Sequence, residues 1–107
     1  MLAIDLFDQL PGENLMRQGL DDFMAGRCTI ASCLVAIARP RLEEARLLSI
    51  DTPEFIRTPE LQLFRLLQEE EKNGDPYGRY NSLLRELVSF EQALDHRLSR
   101  ANRANRL

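Results

Sequence analysis

The sequence predicts an all-α fold: an irregular bundle of four to five helices forming a single domain over residues 1–107, with a long C-terminal helix. Three observations carry this expectation. From Leu15 onward apolar residues recur at spacings of three and four, and no two-residue alternation competes with them. Helix start signals are sharp, since Thr52-Pro53-Glu54, Thr58-Pro59-Glu60 and Asp75-Pro76 each place a capping oxygen before a proline. Residues 28–38 contain no charge, glycine or proline. Such a run is too short to cross about 30 Å of hydrocarbon, so it reads as a central buried helix.

The elements follow in order. Leu2, Ile4, Leu6, Phe7 and Leu10 form an apolar lead-in over residues 1–12, either a brief helix or an extended arm on the core, ended by Pro11-Gly12. From Glu13 the period is helical. Leu15, Met16, Leu20, Phe23 and Met24 share the expected core face, while Arg17, Gln18, Asp21 and Asp22 face away. Gly26 suits the C-terminal cap, and Gly19 suits a close helix–helix contact. Thr29 is the expected N-cap of the buried helix, which should end or kink at Arg39 because Pro40 follows. Leu42, Ala45 and Leu48 continue a helical stripe with Glu43, Glu44 and Arg46 on the wet side.

Of the two Thr-Pro-Glu copies, the first opens at most one turn, because Pro59 disfavours helix at Thr58. The second opens a helix through Leu61, Leu63, Phe64, Leu66 and Leu67, stopping near Asn73-Gly74. Asp75-Pro76 starts the last helix. Its stripe Tyr80, Leu83, Leu84, Leu87, Phe90, Leu94, Leu98 and Ala101 implies helix to Asn102, about 40 Å long. A compact domain of this size has a radius of gyration near 13 Å, so the end of that helix should project or fray.

Composition bounds the function. The chain of 107 residues is 44% hydrophobic and 29% charged, a globular balance that excludes wholesale disorder. Area scaling gives roughly 6,000 Å² exposed against about 18,000 Å² unfolded, enough burial for a core without staples. The N-terminal stretch has no basic leader and carries Asp5 and Asp8, unlike a secretory signal. Cys28 and Cys33 are therefore expected as reduced, buried thiols in the cytoplasm of a bacterial-type cell.

The net charge of −3 hides an asymmetry. All 17 acids and ten of the 14 basic residues fall in residues 1–96, a balance of −7, whereas residues 97–107 hold four arginines and no acid. Arg97, Arg100, Arg103 and Arg106 step by three, wrapping about half the circumference of a helix. Four phosphate contacts there would give a salt slope of roughly −3.6. Against that reading, the acidic body repels a polyanion and no aromatic lies among the arginines for base stacking. The plainer reading is a solvated tail next to a helix C-terminus. Glu69, Glu70 and Glu71 are the acidic counterpart it could meet, in the same chain or a second copy.

Other constellations are sparse. Tyr77, Arg79 and Tyr80 combine residue types favoured as interface anchors, although both rings could instead close the end of the core. On a helix the two cysteines would sit about 140° apart, and no second pair or nearby histidine completes a zinc site. His96, the lone histidine, has no Glu-x-x-His partner and no nucleophile in reach of its sequence. Arg39 and Arg41 flank Pro40 and could hold an anion or pair with Glu43 or Glu44. No catalytic, cofactor-binding or metal-binding set emerges, and an enzyme is the least favoured class.

The leading expectation is a protein–protein interaction or structural module that self-associates as a homodimer. Its motive is the long stripe from Tyr80 to Ala101, in which Tyr80, Leu87, Leu94 and Ala101 form one heptad row. Leu83, Phe90 and Arg97 form the other, and Arg97 breaks it. The alternative is nucleic-acid binding through the arginine end. No membrane or cofactor is implied.

Overall fold

The computed structural model describes residues 7–44 and 58–105, with side chains described as far as Arg100. These residues form five helices and no strand: α1 (Glu13–Ala25), α2 (Ile30–Ile37), α3 (Arg39–Glu44), α4 (Pro59–Glu70) and α5 (Pro76–Asn105). The second half of the Leu42, Ala45, Leu48 stripe and the first Thr-Pro-Glu cap lie outside the described residues, as does the lead-in before Phe7.

The core forms around α2, whose Ala31, Ser32, Cys33, Leu34, Val35 and Ala36 are all buried. An eight-residue helix apolar on every side has no wet face to offer, so neighbours must cover it. α1 packs on one side and α4 on another, with α5 against α4. Met16 and Phe23 enter from α1, Leu63 and Leu67 from α4, and Leu83, Leu87, Phe90 and Leu94 from α5. Pro40 does not stop the chain turning. Ala38 forms a one-residue break, after which α3 carries Leu42 into the core.

Two glycines fix the α1–α2 arrangement. Gly26 ends α1 in the left-handed conformation at φ 78°, where a Cβ would be strained. Gly19 faces α2 so closely that a Cβ would lie 2.4 Å from the Ala31 carbonyl oxygen and 2.6 Å from Val35 Cγ2. The contact is between backbones, as the mid-helix glycine suggested.

That crossing corrects two expectations about α1. Met24 is 64% exposed rather than part of the core, and Asp22 is 5% exposed rather than outward-facing. The buried line runs Met16, Gly19, Asp22 and Phe23, because α2 approaches at the residue without a side chain.

The N-terminal turn is clasped between α1 and α5. Phe7 meets Phe90 edge to face with centroids 5.0 Å apart, and the Arg17 guanidinium lies 5.8 Å from the Phe7 centroid. Gln9, at φ 63°, donates its backbone N–H to Glu13 Oε1 at 2.9 Å. α5 runs 30 residues, about 45 Å, three residues beyond the expected end. The molecule accordingly measures 54 × 26 × 18 Å.

Candidate functional site

The sequence singled out two places on α5 and one at the end of α4, and the structure treats them differently. At the start of α5, Asp75 Oδ1 accepts the Gly78 N–H at 3.0 Å, so Asp75 caps the helix as its place before Pro76 implies. Phe64 of α4 then sits between two rings, 5.9 Å from Tyr77 and 5.7 Å from Tyr80, both edge to face. Tyr80 packs against the core. Tyr77 turns outward and is 66% exposed. Arg79 reaches back to α4, 3.4 Å from Glu71 and 3.8 Å from Glu70. The three residues thus share one end of the bundle but not one surface function: Tyr80 packs, Arg79 pairs, and Tyr77 is presented.

The basic end is also divided. Arg97 is half-buried and donates to the Asp8 backbone carbonyl, and its charge helps hold the Glu13 carboxyl below the usual carboxylate range. The larger causes of that lowering are the Gln9 N–H and the Arg17 guanidinium. Arg97 is therefore part of the clasp on the N-terminal turn. Arg100 is exposed. The side chain of Arg103 and all of Arg106 lie outside the described residues. Among described side chains, the acids near the end of α4 meet Arg79, not the C-terminal arginines. Glu69 is exposed.

As far as Leu94, the heptad rows offered as a dimer seam lie against the chain's own core. Leu83, Leu87, Phe90 and Leu94 are buried, with Tyr80 and Leu98 packed beside them. Beside this buried line, α5 carries a partly open apolar flank. Tyr77, Leu84 and Val88 follow one another at helical spacing; Val88 is 49% exposed, while Leu84 is half-buried and packs against the core. Leu84 and Val88, with Asn81, Arg85 and Ser89, line an open groove of about 500 Å³. The apolar stripe read from periodicity included Leu84 and passed over Tyr77 and Val88.

Around the start of α2 is a polar and sulfur cluster that sequence reading missed. Thr29 Oγ1 accepts the Ser32 N–H at 3.1 Å while Ser32 Oγ accepts the Thr29 N–H at 2.8 Å, a reciprocal capping box. Thr29 Oγ1–H also donates to Asp22 Oδ2 at 2.8 Å, and Arg27 Nε donates to Asp22 Oδ1 at 2.9 Å. Cys28 precedes the cap and Cys33 follows four residues into the helix, the two positions that meet across a capping box. The 140° separation does not apply, because Cys28 is not on the helix. Cys33 is buried and Cys28 half-exposed. Burial, with the adjacent Cys28 thiol adding to it, pushes the Cys33 thiol up to about 12.

Elsewhere the arginines of residues 39–41 are engaged. Arg39 pairs with Glu43 at 3.1 Å, and Arg41 with Asp95 on α5. Burial raises the neighbouring Glu91 carboxyl, with Arg41 opposing and Asp95 adding to the rise. His96 is exposed on α5. Among the described residues no group of three or more His, Cys, Asp or Glu side chains could hold a metal ion. No described helix is long and apolar enough to cross a membrane. No protein-family model matches the chain, and neither a curated protein nor a solved structure shows significant similarity to it.

Proposed function

We propose that this chain is a protein–protein interaction module that associates with a second copy of itself through the outer face of α5. The observation that carries this reading is the exposed pair Tyr77 and Val88, with half-buried Leu84 between them, on a helix whose adjacent face is already committed to the core. Aromatic and aliphatic side chains presented together on a rigid helix are the usual centre of an interface.

The charge layout supports a second copy as the occupant. A twofold axis near Leu84 and Val88 sets two α5 helices antiparallel. The Arg100 end of each then runs toward the Asp75 end of the other. Opposite charges come together at both ends, and the apolar line lies between them. A parallel pairing would stack the arginine ends on each other.

Sedimentation equilibrium over a hundredfold range of concentration tests the reading. The expected result is a monomer–dimer equilibrium that Val88→Asp weakens by about tenfold or more, with helix content unchanged. A monomer at every concentration overturns it. So does dimerisation that Val88→Asp leaves intact. Binding of a low-salt duplex DNA probe that disappears on truncation after His96 would favour the nucleic-acid alternative instead.

A further inference from the structure

The two cysteines form the most reactive juxtaposition outside the α5 face, and their chemistry is independent of whether the chain dimerises. The capping box of Thr29 and Ser32 folds the residue before the cap over the first turn of α2. Cys28 and Cys33 occupy the two staple positions of that motif, and Cys28 packs against the buried cluster that holds Cys33. Their exposures differ completely: Cys33 has no accessible surface, whereas Cys28 opens onto a shallow concavity. That concavity, about 430 Å³, is lined by Cys28, Thr29, Ile30 and Leu66 together with Glu69 and Glu70. A reagent in solution can reach one sulfur of the pair and not the other.

We propose that Cys28 and Cys33 are a dithiol pair that closes into an intrachain disulfide over the N-terminus of α2, with small cationic disulfides as the preferred oxidant. Cys28 is the attacking group. Its thiolate displaces one half of the external disulfide, which leaves as a thiolate and takes up a proton, giving a mixed disulfide on Cys28. The Cys33 sulfur, losing its proton to solvent, then attacks the Cys28 sulfur and releases the second half in the same way. Two protein thiols and one external disulfide become one protein disulfide and two small thiols. No other reactant is needed.

The second step has a built-in assistance. The Cys28 charge that opposes ionisation of Cys33 vanishes once Cys28 is in the mixed disulfide. The preference for a cation follows from Glu69 and Glu70 at the mouth, which attract a positively charged reagent and repel an anionic one.

The test treats the full chain under native conditions with cystamine, which is cationic, or with the dianionic dithiobis(nitrobenzoate), and follows intact mass. The expected product is a monomer lighter by two hydrogens with no adduct, in which peptide mapping links Cys28 to Cys33. Cys33→Ser should stop at one cysteamine adduct on Cys28, and Cys28→Ser should be inert while folded. Mapping of the unaltered chain decides the matter even if Cys33→Ser folds poorly. With each rate divided by that reagent's rate toward 2-mercaptoethanol, which removes the difference in leaving group, cystamine should be favoured about tenfold over the dianion, a gap that Glu69→Gln with Glu70→Gln should shrink. A stable Cys28 adduct in the unaltered chain, a disulfide between chains, or no reaction overturns the pair. Equal normalised rates for the two reagents overturn the oxidant class.

Discussion

Asp22 is a charged residue with almost no accessible surface, and three neighbours account for it. The Thr29 hydroxyl and the Arg27 guanidinium each donate to one of its oxygens, and Gly26 makes the turn that brings both of them back. The Thr29 hydrogen bond is the largest cause holding the Asp22 carboxyl below its ordinary value of 3.8, followed by Arg27, with burial opposing. A carboxyl lowered by folding binds fewer protons in the native state than in the unfolded one. Its stabilisation is therefore present above the unfolded value and is lost as pH falls through the folded one. Asp22→Asn, which keeps the shape and removes the charge, should lower the urea midpoint near neutrality. The gap to the unaltered protein should close as pH drops below 3.8. A gap that persists in acid would assign the effect to packing instead. The sequence placed Asp22 outward because Asp21 precedes it and helical periodicity treats the two as one polar patch. What buries it arrives only after the Gly26 turn, from residues on no common helix face. The same limit explains Cys28, whose position relative to Cys33 depends on a capping box and not on helical rotation.

At the scale of elements, the α1–α2 pair depends on a missing side chain. Gly19→Ala raises intrinsic helix propensity by about 1 kcal/mol, which for an isolated α1 would be stabilising. In the folded chain the new methyl meets the Ala31 carbonyl, a backbone atom that cannot swing aside. The expected net result is a loss of about 1–3 kcal/mol, measured by chemical denaturation, as the helices separate. A gain in stability would show that the close approach is not maintained in solution. The capping signals show how far local sequence can be read. Thr29 and Thr58 both precede helices, and both helices start where those residues imply. Only Thr29 caps through its side chain. It has extended backbone at ψ 170°, which aims its hydroxyl at the first-turn N–H groups, whereas Thr58 stands at ψ 79° and leaves the start of α4 to Pro59. The hydroxyl was visible in the sequence; the backbone angle that decides its use was not.

For the whole molecule, the long last helix and the split of charge were both legible, while the destination of the first arginine was not. Arg97 reaches a backbone carbonyl, and a carbonyl is the same at every residue, so no pattern could mark Asp8 as its partner. As far as Leu98 the stripe that suggested a partner chain packs on the chain's own core, leaving Tyr77 and Val88 as the exposed large apolar side chains among the described residues of α5. The clasp also has a consequence in time. Arg97 and Asp8 are 89 positions apart, and Phe7 reaches Phe90 across nearly as long a span, whereas α1 and α2 meet through a four-residue connection. Closing a long loop costs more entropy than closing a short one, so the helical hairpin should form first and the clasp after the rate-limiting barrier. Arg97→Ala should then speed unfolding severalfold in stopped-flow experiments while leaving the refolding rate within about twofold. A slowed refolding rate would put the clasp in the nucleus. On this ordering a newly made chain spends its first moments with the Phe90 ring uncovered. The lifetime of that sticky, half-finished species is set by how fast Phe7 finds its seat.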